Sequence, residues 1–139
     1  KTDVIQMLNG CIGGLVAITA EPLMPSPLAA ILIGAVGGII VVYGTKFLLA
    51  MKIDDVVGAI PAHLFAGVWG TLAVPITNSG ASFGTQLLGV VSINAFVFIV
   101  SFIIWFLMRS TFGIRLSKEG ETKGTDVTET GVIAYAIRD

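Results

Sequence analysis

One histidine, His63, stands in the stretch DDVVGAIPAHLFAGVWGTLAV, Asp54 to Val74, behind a pair of carboxylates and inside an otherwise apolar run. Imidazole is the side chain that exchanges protons near neutral pH, and as a neutral ring it offers one nitrogen as donor and the other as acceptor. With no second histidine and a single distant cysteine, Cys11, the chain cannot assemble a zinc-type ligand set. No nucleophile–base set or phosphate loop accompanies the histidine, so an enzyme is not expected, nor is a cofactor. Asp54 and Asp55 precede a helical pattern, where carboxylates cap free amides and complement the helix dipole. They are read as the helix start.

These residues must be held by elements suited to lipid. Hydrophobic residues make up 55% of the 139 and charged residues 12%, about half the charge of a soluble domain. Four apolar segments, at about 4–20, 28–49, 56–76 and 83–108, predict an all-α membrane protein. Helices are expected because they satisfy their own backbone hydrogen bonds in the bilayer. EPLMPSP (Glu21–Pro27), KIDD (Lys52–Asp55) and PITNSGAS (Pro75–Ser82) separate the spans. Glu21 reads as a solvated loop charge. The transmembrane region is thus 1–109, and a polar tail occupies 110–139.

Lysine and arginine lie before the first segment, at Lys46 and Lys52, and after Met108, while the alternate loops carry none. The bias places both ends and the central loop in the cytoplasm. The net charge of −1 points to no nucleic-acid partner.

On the third segment, Ala59, Ala62, Ala66, Gly67, Gly70 and Thr71 share the His63 face by helical spacing, and Leu64, Phe65, Val68, Trp69 and Leu72 form a bulky opposite face. The small side is expected against protein or a cavity, with the bulky side towards lipid or a loose neighbour. Two readings of His63 follow: a hydrogen bond tying helices together, worth roughly 0.6–2 kcal/mol, or a group on a conduction or proton pathway. GCIGG (Gly10–Gly14) and GAVGG (Gly34–Gly38) are GxxxG patterns that predict close helix packing. Pro61 is expected to bend the helix beside His63.

Three stretches carry a family resemblance. DDVVGAIPAHLFAGVWGTLAV resembles the tenth-helix signature of the ammonium transporter family, and LNGCIGGLVAITA (Leu8–Ala20) is similar to the start of its eighth helix. GIRLSKEGETKGTDVTETGVIAYA (Gly113–Ala136) is similar to the cytoplasmic tail after its eleventh. Together they cover nearly the whole chain.

The resemblance implies four of eleven spanning helices in two inverted halves, a homotrimer with one pore per subunit, and an integral protein of the plasma or inner membrane. It makes His63 the second of two paired pore histidines, which conduct ammonium or ammonia through a hydrophobic pore. The first histidine, the outer aromatic gate and the recruiting residues belong to earlier helices, so this chain is expected to need the missing upstream helices of the same transporter. Thr128 matches a hydroxyl that is phosphorylated in some members, Thr130 stands where histidine is frequent, and a PII-type regulatory protein is an implied partner. An ammonium sensor (transceptor) signalling through the tail and a structural membrane subunit are the alternative readings.

Overall fold

The computed structural model describes residues 3–23 and 25–133, and these are helical with no strand among them. The chain divides into two compact units, Lys1–Asn94 and Ala95–Asp139. Lys1, used above for orientation, and the tail residues 134–139 lie outside the described residues.

In the first unit, α1 spans Val4–Ile18 and α2 spans Pro27–Ala50. Asp3 caps α1 by accepting from the Gln6 amide. Ser26 caps α2 ahead of Pro27, whose missing N–H costs nothing in a first turn. The last turn of α2 closes through Lys52 N–H to Leu49 and Ile53 N–H to Leu48, both 3.0 Å. Lys52 takes the left-handed position (φ 59°) that glycine more often fills. Helix α3 runs Ile60–Thr77, opening as a π-helix over Ile60–Phe65 and continuing as an α-helix from Ala66. Helix α4, Phe83–Thr111, extends from the first unit into the second.

Three helices, α2, α3 and α4, are long and apolar enough to cross a membrane. Helix α1, at 15 residues, rises only about 22 Å against a hydrocarbon core of roughly 30 Å. The expected first span therefore falls short of membrane length, because the chain leaves the helix at Thr19, two residues before Glu21. The third starts later than expected: Gly58 adopts φ 74°, so Val56 and Val57 belong to the preceding turn. It ends at Thr77, within a residue of the expected 76, so Pro75 to Thr77 belong to the helix and the polar turn begins after them.

The two GxxxG patterns face each other in antiparallel register. A Cβ on Gly14 would lie 3.1 Å from the Gly34 carbonyl oxygen, and one on Gly38 would lie 3.2 Å from that of Gly10. Between them, a Cβ on Gly37 would come within 2.7 Å of both the Gly13 oxygen and the Ala17 methyl. Backbone thus meets backbone, which is how dispersion holds helices together in lipid. Around this seam Ala17, Ile33 and Ala73 form one buried cluster, and Val41, Ala62 and Ala66 a second.

The second unit holds the rest of α4, where the Phe98, Phe102 and Phe106 rings stack at 6.3 and 6.4 Å, and then the tail. Helix α5 (Lys118–Lys123) is followed by a single π turn at Asp126–Thr130.

Candidate functional site

The third helix opens with Pro61 in its first turn, where the missing N–H is no loss. In the turn before it, the Val57 carbonyl accepts from Asn9 Nδ2 of α1 at 2.8 Å. Asp55 then accepts from two successive amides, Ala59 to Oδ1 at 2.9 Å and Ile60 to Oδ2 at 2.8 Å. Asp54 is exposed and makes no hydrogen bond among the described residues, so the cap is Asp55 alone. At the far end, Phe65 and Pro61 press on α2 where Gly44 leaves room: a Cβ there would lie 2.6 Å from the Phe65 ring and 3.0 Å from Pro61 Cβ.

The wide π turn offsets the faces of α3, and the two-face pattern expected from regular spacing is corrected accordingly. Ala62, Ala66, Gly70 and Ala73 are buried, while Gly67 and Thr71 part from them and join His63. Phe65 and Trp69 are not turned to lipid: Phe65 sits over Gly44, and Trp69 Nε1 donates to the Ile33 carbonyl at 3.0 Å. Each packs against α2.

His63 lines an open cavity of about 470 Å³ within the first unit, with Leu64, Gly67, Val68 and Thr71 on its own helix and Gln86, Val90 and Asn94 among the residues opposite. The imidazole is exposed there and makes no hydrogen bond among the described residues. The walls are mostly aliphatic, and the polar groups are the ring, the Thr71 hydroxyl and two amides. Asn94 donates back to the Val90 carbonyl at 2.8 Å. Spacing had put Thr71 beside His63. It had not pointed to Gln86 and Asn94, although two amides eight residues apart share a helix face and are costly in lipid. Among the described residues no cluster of three or more His, Cys, Asp or Glu could hold a metal ion.

Glu21 is not a free loop charge: its Oε2 accepts from Asn78 Nδ2 at 2.8 Å, joining the end of α1 to the end of α3. In the second unit the Thr128 hydroxyl donates to the Gly120 carbonyl at 3.3 Å. Arg115 grips Glu121 through Nε at 2.6 Å and a second guanidinium nitrogen at 3.2 Å. That contact holds the Glu121 carboxyl below its usual range and raises Arg115 further.

The sequence matches the model of the Ammonium Transporter Family over residues 1–135. It is 34% identical to the ammonium transporter Amt2 of Archaeoglobus fulgidus, with 97% of this chain and 33% of that protein covered. It is 40% identical to a putative ammonium transporter of Synechocystis, covering 94% and 30%, and 32% identical to the ammonium transporter of Bacillus subtilis, covering 97% and 37%. The chain spans about a third of the length of these curated relatives.

Proposed function

The chain belongs to the ammonium transporter family, and from that premise we propose that it forms one part of an ammonium-conducting pore in which His63 touches the permeating species. The observation that carries this reading is the placement of the chain's one imidazole on the wall of a largely aliphatic cavity, beside small residues. An apolar passage discriminates against every hydrated ion, because a bare charge in low dielectric costs far more than a neutral molecule. Ammonium differs from sodium and potassium in being able to give up a proton and continue as neutral ammonia. A ring that accepts one hydrogen bond and donates another offsets part of the desolvation of that neutral molecule, and imidazole can also take up the proton.

The remaining wall of the cavity is assigned to helices contributed by the rest of the transporter, including a second histidine. The tail is assigned to the cytoplasmic side, the assembly to a homotrimer, and Thr128 to regulation. A phosphate there would remove the hydroxyl donor to Gly120 and add negative charge near Glu121. A PII-type protein is the proposed partner of that surface.

The test is the ammonium-evoked current and the ammonia flux in proteoliposomes holding the full-length polypeptide, wild type beside His63→Ala, with sodium and potassium pulses as controls. Loss of the current, or its opening to potassium, supports the pore reading. Identical flux and selectivity in the variant would refute it and leave His63 a packing residue. Ammonium binding without flux in the wild type would point to a sensor.

A further inference from the structure

We propose that Arg115 binds a phosphate on Thr128, its guanidinium passing from Glu121 to the phosphate when Thr128 is modified. The inference rests on the regulatory reading of Thr128 and states what the modification does. Contacts within the second unit bring the three side chains to one turn of α5. The Thr128 hydroxyl donates to the Gly120 carbonyl at 3.3 Å, and the Thr128 amide is held on the Gly124 carbonyl at 3.0 Å. A Cβ on Gly120 would meet Thr128 Cγ2 at 3.2 Å and Leu116 Cβ at 3.7 Å. Thr128 therefore packs on Gly120 beside Leu116. Arg115 precedes Leu116 in the chain and Glu121 follows Gly120, and the pair closes over the same turn at 2.6 and 3.2 Å.

In the modification a kinase moves the terminal phosphoryl group of a nucleoside triphosphate to Thr128 Oγ1. The hydroxyl gives up its proton and the nucleoside diphosphate leaves. The oxygen then has no hydrogen to offer the Gly120 carbonyl, and a group of about −1.5 to −2 charge stands near the Glu121 carboxylate. Two anions on one turn repel, and both compete for the guanidinium that lies over it. The phosphate has the larger charge and presents three acceptor oxygens to the arginine fork, against two on Glu121. Both members of the present pair are exposed, and an exposed pair contributes little and is readily given up. Modification thus frees the Glu121 carboxylate, and the turn trades a hydroxyl–carbonyl contact for an arginine–phosphate one.

The test uses the full-length polypeptide in detergent micelles, with phosphothreonine placed at position 128 during translation, and follows its phosphorus NMR signal through a pH titration. An arginine on the phosphate favours the dianion and lowers its second pKa, ordinarily about 6. Arg115→Gln should raise that pKa by about 0.5 or more. Arg115→Lys, which keeps the charge and loses the fork, should fall between. Lys118→Gln and Lys123→Gln remove the other cations of α5 and should each move it by about 0.2 or less. The exchange itself is read from the Arg115 Nε signal, which Glu121→Gln should shift in the unmodified protein and leave nearly in place in the phosphorylated one. An unchanged titration in Arg115→Gln, or an equal change from either lysine variant, would overturn the proposal. So would an Arg115 signal that follows Glu121→Gln equally with and without the phosphate. Peptide mass of the native protein separately tests whether Thr128 is phosphorylated: if it is not, the regulatory reading fails, and the titration still reports whether Arg115 holds the group.

Discussion

Gly70→Ala adds one methyl group to α3 where α1 crosses it. The new carbon would lie 2.8 Å from both the carbonyl carbon and the Cα of Ala17, and closer still to the Ala17 oxygen. Non-bonded carbons rest about 3.5–4.0 Å apart, so the helices must part by roughly 1 Å. Ala17 cannot retreat, because its own methyl already fills the space over Gly37. The displacement therefore falls on α3, loosens the contact of Ala73 with Ala17 and Ile33, and stretches the Trp69–Ile33 hydrogen bond from 3.0 Å. Overpacking of this kind costs about 1–3 kcal/mol, and the hydrogen bond adds about 1 kcal/mol. A loss of about 2–4 kcal/mol is expected from the two together. Gly67→Ala is the comparison: its Cβ would find only Val16 Cγ1, at 3.7 Å, and should change stability by no more than about 0.5 kcal/mol. Unfolding midpoints of the full-length protein in detergent micelles measure both. If Gly70→Ala melts with the wild type, or Gly67→Ala falls as far, the helix crossing described here is wrong.

Trp69→Phe keeps the aromatic bulk and removes the indole donor to Ile33; a loss of about 1 kcal/mol is expected in the same melting assay, with no change in helix content by circular dichroism. Asn78→Asp sets a carboxylate against Glu21 in place of a donor. It should destabilise more than Asn78→Ala, and a double-mutant cycle with Glu21→Gln should recover most of the difference. The Arg115–Glu121 pair should be insensitive to pH around neutrality. Because Glu121 is held below its usual range, the contribution of the pair is complete above that range and is lost as pH falls through the lowered value. Arg115, raised, stays charged throughout. Side-chain Nε signals of arginine in the full-length protein should move only below the usual glutamate range, and the contribution of the pair should weaken with salt, since both groups are exposed.

What could be read without coordinates was local. Apolar runs bounded by proline or charge marked the helices, and the GxxxG spacing named four glycines that do meet across α1 and α2. Other tightly constrained glycines, Gly13, Gly37, Gly44 and Gly70, are not paired by that spacing, and what constrains them, such as Val41 over Gly13 or Ala17 over Gly70, is distant in sequence. The π turn was hidden for a related reason. Pro61 suits a helix start as well as a bend, and the contacts around this turn, Asn9 on the Val57 carbonyl and Gly44 against Pro61 and Phe65, come from residues distant in sequence. With regular spacing assumed, Trp69 fell on the face towards lipid or a loose neighbour and Glu21 was left to solvent, although each has a partner distant in sequence. His63 was legible as the residue that needed explaining. The amides that share its cavity were not, since an isolated Gln or Asn in a long span gives no sign of which way it faces.

The glycine seam between α1 and α2 also bears on how the chain enters the bilayer during synthesis. Helix α1 emerges before α2 and at 15 residues is too short to span by itself, so it gains little from partitioning into lipid alone. Helix α2, at 24 residues, is long enough, and the antiparallel seam can form as soon as both have left the ribosome. The pair, and not either helix, is then the unit of insertion. A bulky residue at Gly14 or Gly37 would register first as nascent chains in which α1 fails to integrate and is exposed to quality-control proteolysis, before any defect in the finished protein could be measured.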